Sequence, residues 1–319
     1  MRIFITGGSG FVGGHLIEDL TADHTVLAMA RSDRSAAAVE ALGATAVRCS
    51  LDDLSASHLQ GVDVVVHAAA YVEEYGTRAE FEAINVGGTE RLLAAAREAG
   101  VGRIVHISTE AVLFTGEPLV DVDEHVPYPV RHRYLYSETK ARAEAAVLGA
   151  NDATLTTIAL RPSFVWGPRD NTVLPALRRM VAEGSFAWLD GGDHPHSTTH
   201  VHNLVSAARA ALTHGVGGSA YFVADDEVRT IREFLTDLAA SDGLQLPTRS
   251  LPGWLLRPAS RAIEGTWRTL GIRSTPPVTG FAIAAMSRQV TVDTRKARTE
   301  LHWTPQVDVR SGLRELAAA

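Results

Sequence analysis

Ile3-Phe4-Ile5-Thr6-Gly7-Gly8-Ser9-Gly10-Phe11-Val12-Gly13, continuing into His15-Leu16-Ile17-Glu18-Asp19-Leu20, is the stretch that decides the fold. A β-prone run enters a glycine-rich turn, and from Phe11 onward the apolar residues recur at helical spacing. Strand, glycine turn and helix in that order are the context a dinucleotide-binding loop requires. Glycines at 7, 10 and 13 let the backbone turn tightly and approach a pyrophosphate, which then rests on the helix N-terminus. The spacing is G-x-x-G-x-x-G. A plain strand–helix connection uses glycine for the same steric reasons, so the turn gains its meaning from the rest of the chain.

Beyond residue 20, strand and helix continue to alternate. Thr25–Ala30, Ala44–Arg48 and Val62–His67 read as strands two to four. Residues 77–99 form one long helical pattern closed by Gly100, and Arg103–Thr109 reads as a fifth strand. Runs of β-branched residues with little polar alternation suit parallel strands covered on both faces. The expected fold class is therefore α/β, a Rossmann-type doubly wound parallel sheet. Ligands of such sheets lie at the carboxyl ends of the strands, where Gly7–Gly13, Arg31, Ala68-Ala69-Ala70 and Ser108-Thr109 all fall. Arg31, with Arg34 beside it, suits the 2′-phosphate of NADP(H); Asp33 nearby keeps NAD(H) open.

The chain contains 28 arginines and two lysines, and one of those lysines closes the segment Tyr136-Ser137-Glu138-Thr139-Lys140. On a helix, Tyr136 and Lys140 share one face, a turn apart. An ammonium there is expected to lower the cost of ionising the phenol and to bring proton exchange nearer neutral pH. Composition agrees with a folded enzyme: 45% hydrophobic and 21% charged residues are too apolar a mixture for disorder. A net charge of −7 gives no reason to expect nucleic acid as a partner. The lone Cys49 allows no internal disulfide and fits a reducing compartment. The first apolar run is too short for a signal peptide, and no stretch reaches bilayer length. A cytoplasmic location without stable membrane insertion is expected.

Read in order, these motifs resemble the extended short-chain dehydrogenases/reductases, in the branch of 3β-hydroxysteroid dehydrogenases, dihydroflavonol-type reductases and nucleotide-sugar epimerases. The resemblance rests on TGGSGFVG at 6–13, VVVHAAA at 64–70, INVGGTERLL at 84–93, VHISTEAV at 105–112, YSETK at 136–140 and LRPSFVWGP at 160–168. HVHNLVSA at 200–207 and VDTRKARTELHWTP at 292–305 extend it towards the C-terminus. The resemblance implies Tyr136 as the proton donor or acceptor at the substrate oxygen, Lys140 on the nicotinamide ribose, and a hydroxyl from Thr109 at the same oxygen. Counting back from Val112 favours Thr109 over Ser108; adjacent strand positions point to opposite sides, so one of the two faces the site unless the strand has ended. The implied cofactor contacts are Gly7, Ser9, Gly10, Phe11, Val12, Gly13, Arg31, Ser50, Leu51, Ala68, Ala69, Ala70, Asn85, Ser108, Tyr136, Lys140, Pro162, Ser163 and Val165. Two positions depart from the family, which often has aspartate where Ser50 and Asn203 stand.

Residues 1–169 are expected to form the dinucleotide-binding domain, with later returning segments near 199–224, and residues 170–319 mainly a smaller substrate-binding lobe. Trp166, Trp188, Trp254, Trp267 and Phe281 are candidates for an apolar pocket or for core. His200 and His202 alternate as on one strand face, yet together with His194 and His196 they have no cysteine nearby and Asp193 alone as a carboxylate, and no metal is expected. Trp254–Leu256 beside Arg257, Arg261 and Arg268 reads as a helix covering the active site rather than a bilayer anchor. Helices 77–99 and 134–149 offer a surface for a homodimer. The function expected is an NADP(H)-dependent oxidoreductase passing hydride between nicotinamide and an apolar ketone or secondary alcohol. A nucleotide-sugar epimerase or dehydratase with transient internal redox is the alternative, with Arg169, Arg178 and Arg179 available to a diphosphate. A non-catalytic cofactor sensor would have no use for the Tyr136–Lys140 pair.

Overall fold

In the computed structural model, which describes residues 1–318 except 74, 271, 273, 275, 277 and 278 and the side chains of Arg257, Arg261 and Arg268, the first half of the chain alternates strand with helix. It runs β1 (Arg2–Thr6), α1 (Phe11–Leu20), β2 (Thr25–Met29), α2 (Asp33–Ala41), β3 (Thr45–Val47), β4 (Val64–His67), α3 (Arg78–Phe81), α4 (Gly88–Ala99) and β5 (Arg103–Ile107). Next come β6 (Leu119–Val122), α5 (Leu135–Gly149), β7 (Thr156–Pro162), β8 (Val165–Trp166), α6 (Val173–Ala182), β9 (Trp188–Leu189), β10 (Pro195–His196) and β11 (Thr199–His200). The remainder is α7 (Val201–Ala211), β12 (Ser219–Val223), β13 (Arg229–Thr230), α8 (Ile231–Ser241), β14 (Ser250–Leu251), α9 (Gly253–Thr269), α10 (Gly280–Met286), β15 (Val290–Val292), α11 (Arg295–Glu300) and α12 (Val309–Ala318).

One sheet of seven parallel strands, ordered β3-β2-β1-β4-β5-β7-β12, carries the molecule. The order reverses between β1 and β4, so a crevice opens at their carboxyl ends, where the glycine turn and Ala68–Ala70 lie. Apolar residues cover both faces, as the unbroken β-branched runs require: Ile3, Ile5, Val64, Val66, Val105 and Ile158 on one, Phe4, Val65 and Ile104 on the other. Strand β12 brings Ser219–Val223 back to the sheet edge beside β7. Its neighbours in sequence form short ladders outside the main sheet.

The pattern over 77–99 is not one regular helix. A π-helical stretch, Glu82–Gly87, sits between α3 and α4. Its wider turn swings Asn85 inward, and the following Gly88 passes so close to Leu51 that an added Cβ would lie 2.8 Å from the leucine Cδ1. The Asn85 side chain accepts from Tyr71 N (2.7 Å) and donates to Tyr71 O (3.1 Å) and Thr139 Oγ1 (3.1 Å), tying the segment after β4 to α5. A buried ion pair holds α5 from below. Arg161 on β7 donates to Glu144 at 2.6 Å, Tyr128 OH donates to the same carboxylate at 2.5 Å, and the guanidinium lies 5.3 Å over Phe222. Removing one partner of such a pair costs about 3–5 kcal/mol, so this contact fixes the helix that presents Tyr136.

Candidate active site

The glycine turn has the geometry its spacing implies. Gly7 has φ +74°, and a Cβ there would lie 2.7 Å from Ala69 N. A Cβ on Gly13 would lie 2.1 Å from Gly7 O, so α1 starts directly against the strand end. Gly10 differs: its Cβ would meet Gly7 O alone, at 3.2 Å, and otherwise face open space. Gly10 caps α1 without a side-chain hydrogen bond, and no acidic residue occupies the first turn. A bare helix N-terminus above small, exposed residues fits a pyrophosphate. Ser9, Gly10 and Arg31 are exposed, Phe11, Val12 and Ala68–Ala70 partly so, and all lie past the strand ends of one crevice. The residues present therefore fit a dinucleotide.

Behind the turn, hydrogen bonds fix the strand ends. Thr89 Oγ1 donates to Asn85 O (2.7 Å), so it accepts from His67 Nε2 (3.0 Å), and His67 Nδ1 then accepts from Thr6 Oγ1 (2.7 Å). Burial, reinforced by the charge of Lys140, pushes His67 down to about 3 and His106 beside it well below its usual value. Both rings are neutral, and Thr6 Oγ1 is free to accept from Ala69 N (3.1 Å).

Strand β5 ends at Ile107, so the alternation rule does not choose between Ser108 and Thr109. Thr109 caps the short helical turn Glu110–Leu113: its hydroxyl accepts from Ala111 N (3.1 Å) and donates to Glu110 Oε2 (2.8 Å). The Tyr136 phenol lies in the neighbourhood of this hydroxyl. The buried Ser108 hydroxyl has no partner. Tyr136, in the first turn of α5, packs edge-on against Phe281 of α10 with ring centroids 5.7 Å apart.

The electrostatics at Tyr136 differ from the sequence expectation. The phenol is pushed up, first by burial and then by the nearby Glu110 carboxylate, with the Thr109 hydroxyl acting the other way. Lys140 shares the helix face but donates its Nζ to Ile107 O at 2.9 Å. It is fully buried and pushed down to about 8 by that burial, against the pull of Glu144. One of the three ammonium donors is thus engaged by the strand-end carbonyl, and no hydrogen bond joins Lys140 to the phenol among the described residues.

The other expected contacts divide between site and scaffold. Ser50 donates N–H and O–H to Asp53 Oδ1 at 2.6 and 2.7 Å, so a local turn engages its side chain, and Leu51 packs against Gly88. Asn85 spends both amide groups on the Tyr71–Thr139 clamp, which makes it a brace for the site in this structure. Pro162 ends β7, Val165 pairs with Thr199, and the buried Ser163 hydroxyl is unpartnered. Arg31 makes no hydrogen bond or ion pair among the described residues, whereas Asp33 is paired with Arg48 at 2.8 Å. Asn203, where an aspartate is common in the family, is buried and satisfied by Asp225, Gln306 and Val307.

A cleft of about 910 Å³ opens at Tyr136. Its apolar lining includes Tyr71, Phe81, Leu135, Trp267, Phe281 and Ala284; Arg78, Glu117, Arg133, Glu138 and Arg288 charge its walls. Trp166 and Trp188 belong to the core, and Trp254 is 68% exposed. The expected basic partners of Trp254, namely Arg257, Arg261 and Arg268, have side chains outside the described residues. Among the described residues no helix is long and apolar enough to cross a membrane. His200 and His202 do not share a strand face: β11 stops at His200 and α7 begins at Val201, because Asp225 accepts from His200 N (2.7 Å). Among the described residues no group of three or more His, Cys, Asp or Glu is placed to hold a metal. The residue that sequence reasoning missed is Glu110; its signal was a lone carboxylate inside the apolar run 104–114.

Fold and site together define an extended short-chain dehydrogenase/reductase. The model of the 3-beta hydroxysteroid dehydrogenase/isomerase family matches residues 4–253, and the chain belongs to that family; it is an enzyme of the dehydrogenase/reductase type. Among curated relatives, a 4-hydroxy-2-methyl-3-oxo-4-farnesyl-3,4-dihydroquinoline-1-oxide ketoreductase of Stigmatella aurantiaca is 40% identical over 100% of this chain and 96% of its own length. A 2-alkyl-3-oxoalkanoate reductase of Stenotrophomonas maltophilia is 33% identical over 100% of this chain and 99% of its own. Among solved structures, a UDP-glucuronic acid 4-epimerase from Bacillus cereus in complex with NAD superimposes with TM-score 0.77 at 21% identity, covering 100% of this chain and 98% of that one; it shares the fold.

Proposed function

We propose that the protein is an NADP(H)-dependent ketone reductase, with Tyr136 as the proton donor and the cleft beside it as the ketone site. The observation that carries this reading is a phenol kept protonated by its surroundings, with the Thr109 hydroxyl in its neighbourhood, at the head of a partly apolar cleft. The Stigmatella and Stenotrophomonas relatives are both named for reducing a carbonyl. When bound, the reduced nicotinamide supplies the hydride. Tyr136 donates its proton to the carbonyl oxygen, Thr109 hydrogen-bonds that oxygen or the phenol, and Lys140 leaves Ile107 O for the ribose hydroxyls. Gly7, Ser9, Gly10, Phe11, Val12 and Gly13 hold the pyrophosphate, with Ser50, Leu51, Ala68–Ala70, Asn85, Ser108, Pro162, Ser163 and Val165 bounding the rest. A positioned acid of this type contributes about 10²–10⁴-fold. The segments outside the main sheet after residue 169 form the substrate lobe, and a homodimer through the helix pair 77–99 and 134–149 belongs to the same proposal. The test is oxidation of the reduced cofactor by a panel of apolar ketones; no turnover on any of them would count against the reading.

Reductase chemistry is favoured over internal redox on a sugar nucleotide by the state of the candidate diphosphate cations. Two of the three are engaged, Arg169 with Glu18 and Arg178 with Asp242, whereas Arg179 makes no ion pair among the described residues. The preference for NADP(H) rests on Arg31, exposed after β2 and unpaired among the described residues, and on Asp33, whose charge is met by Arg48. Arg31→Ala is expected to weaken NADPH binding by roughly 10- to 100-fold, the loss of one charge-assisted phosphate contact, with NADH affinity unchanged. Titration of both cofactors into both proteins checks it; equal NADPH affinities would remove Arg31 from cofactor choice.

A further inference from the structure

We propose that Phe281 decides which ketones reach Tyr136, and that Glu264 holds Phe281 in place through the Gly280 amide; the inference rests on the ketone-reductase reading of this cleft. The substrate class it defines is ketones left unbranched at the carbons beside the carbonyl.

Ring positions carry the first half. Phe281 lies edge-on to Tyr136 with centroids 5.7 Å apart, and edge-on to Tyr134 and Phe114 at 5.4 and 6.0 Å. All three separations fall within the range of favourable aromatic pairs. Phe114 is buried, so the ring that contacts Phe281 from the core side cannot retreat. Phe281 and Tyr136 both line the cleft. A carbonyl oxygen that reaches the phenol therefore brings its neighbouring carbons against the edge of Phe281. A methylene can pass that edge, whereas a branch adds a methyl group that must displace a packed ring.

The second half is the hold on α10. Far along this seven-residue helix, Ile283 and Ala284 are buried, and His196 Nε2 lies 2.8 Å from Ala285 O. At its start, Thr279 Oγ1 accepts from Ala282 N at 3.1 Å, a bond within the helix's own segment. The hold from outside is Glu264, whose Oε1 accepts the Gly280 N–H at 2.7 Å. Glu264 belongs to α9, where Ser260, Glu264 and Trp267 recur at helical spacing and all line the cleft. Without this bond the first turn of α10 can swing about its buried far end, and Phe281, the residue after Gly280, leaves Tyr136. Glu264 acts through Gly280 and is a positioning residue.

The test compares di-n-butyl ketone with its analogue methylated at both carbons beside the carbonyl. Wild type is expected to favour the unbranched ketone in kcat/KM by at least about tenfold, because a misplaced methylene in an apolar pocket is worth roughly 10- to 200-fold. Phe281→Ala should bring that ratio towards one, and Glu264→Ala should do so in part. Glu264→Gln, whose amide oxygen still accepts from Gly280 N, should keep the wild-type ratio. In the Phe281→Ala background, adding Glu264→Ala should change nothing further. If Phe281→Ala does not fold, Phe281→Leu takes its place. A wild-type ratio near one, or a ratio that the Phe281 variant leaves in place, overturns the proposal. So does Glu264→Gln behaving as Glu264→Ala, or a Glu264→Ala effect that is the same with and without the Phe281 ring. Calorimetric titration of the same two ketones without cofactor reads the discrimination as a ratio of Kd values. If neither ketone is turned over, the reductase reading fails, while those Kd ratios still decide whether Phe281 sizes the cleft.

Discussion

Tyr136→Phe is expected to lower reductive turnover by about 10²–10⁴-fold while leaving NADPH affinity within about twofold of wild type. The substitution removes one oxygen. The ring keeps its edge-on contact with Phe281, and the braces of α5, Asn85 on Thr139 and Arg161 on Glu144, do not involve the phenol. Folding should therefore be unaffected, and the loss should appear in kcat rather than in binding. Steady-state rates alongside a cofactor titration and a thermal melt separate these quantities. Turnover at the wild-type rate would remove Tyr136 from the reaction, and a matching loss of cofactor affinity would recast it as a binding residue.

Gly13→Ala is expected to be the most damaging substitution in the cofactor loop. The new Cβ would fall 2.1 Å from Gly7 O, 2.7 Å from Gly7 C and 2.8 Å from Gly8 Cα, all backbone atoms that no rotamer change can move aside. Helix α1 must back away from β1, which opens the turn whose shape holds the pyrophosphate. Overpacking of this kind costs about 1–3 kcal/mol even where side chains can yield, and here it should reach or exceed the upper end. NADPH affinity should fall by at least about 100-fold as the helix N-terminus is displaced. The neighbouring Gly14→Ala is the control. Its Cβ would meet the Leu42 Cδ1 side-chain atom at 3.4 Å, and alanine gains up to about 1 kcal/mol over glycine inside a helix. Parallel melts and cofactor titrations of the two variants check the contrast; equal behaviour would contradict the steric role of Gly13.

The parallel sheet was legible because unbroken runs such as Val64–His67 and Arg103–Ile107 can be buried on both faces and little else. The glycine turn was legible for a similar reason, since only glycine tolerates the approach of Gly13 to Gly7. What the sequence concealed depended on distant partners. Lys140 was expected on the tyrosine; it found the Ile107 carbonyl, which a helical spacing cannot reveal. The break at Glu82–Gly87 is stabilised by Asn85 bridging to Tyr71 and Thr139, 14 and 54 residues away in sequence. His202 was read into a strand, but the helix begins at Val201, next to the His200 N–H that Asp225, 25 residues further on, holds. Glu110 was visible as an oddity in an apolar run, but its meaning needed Thr109 and Tyr136 in place. The two-residue strands of the second half carry too little periodicity to be read at all.

The most direct test of ketone reduction is transfer of label from NADPH deuterated at the nicotinamide C4 to a ketone that the panel shows to be consumed. One deuterium is expected on the carbinol carbon for each cofactor oxidised. Label that never leaves the cofactor, with no net oxidation and nucleotide released only on denaturation, would contradict ketone reduction and point to internal redox on a bound substrate.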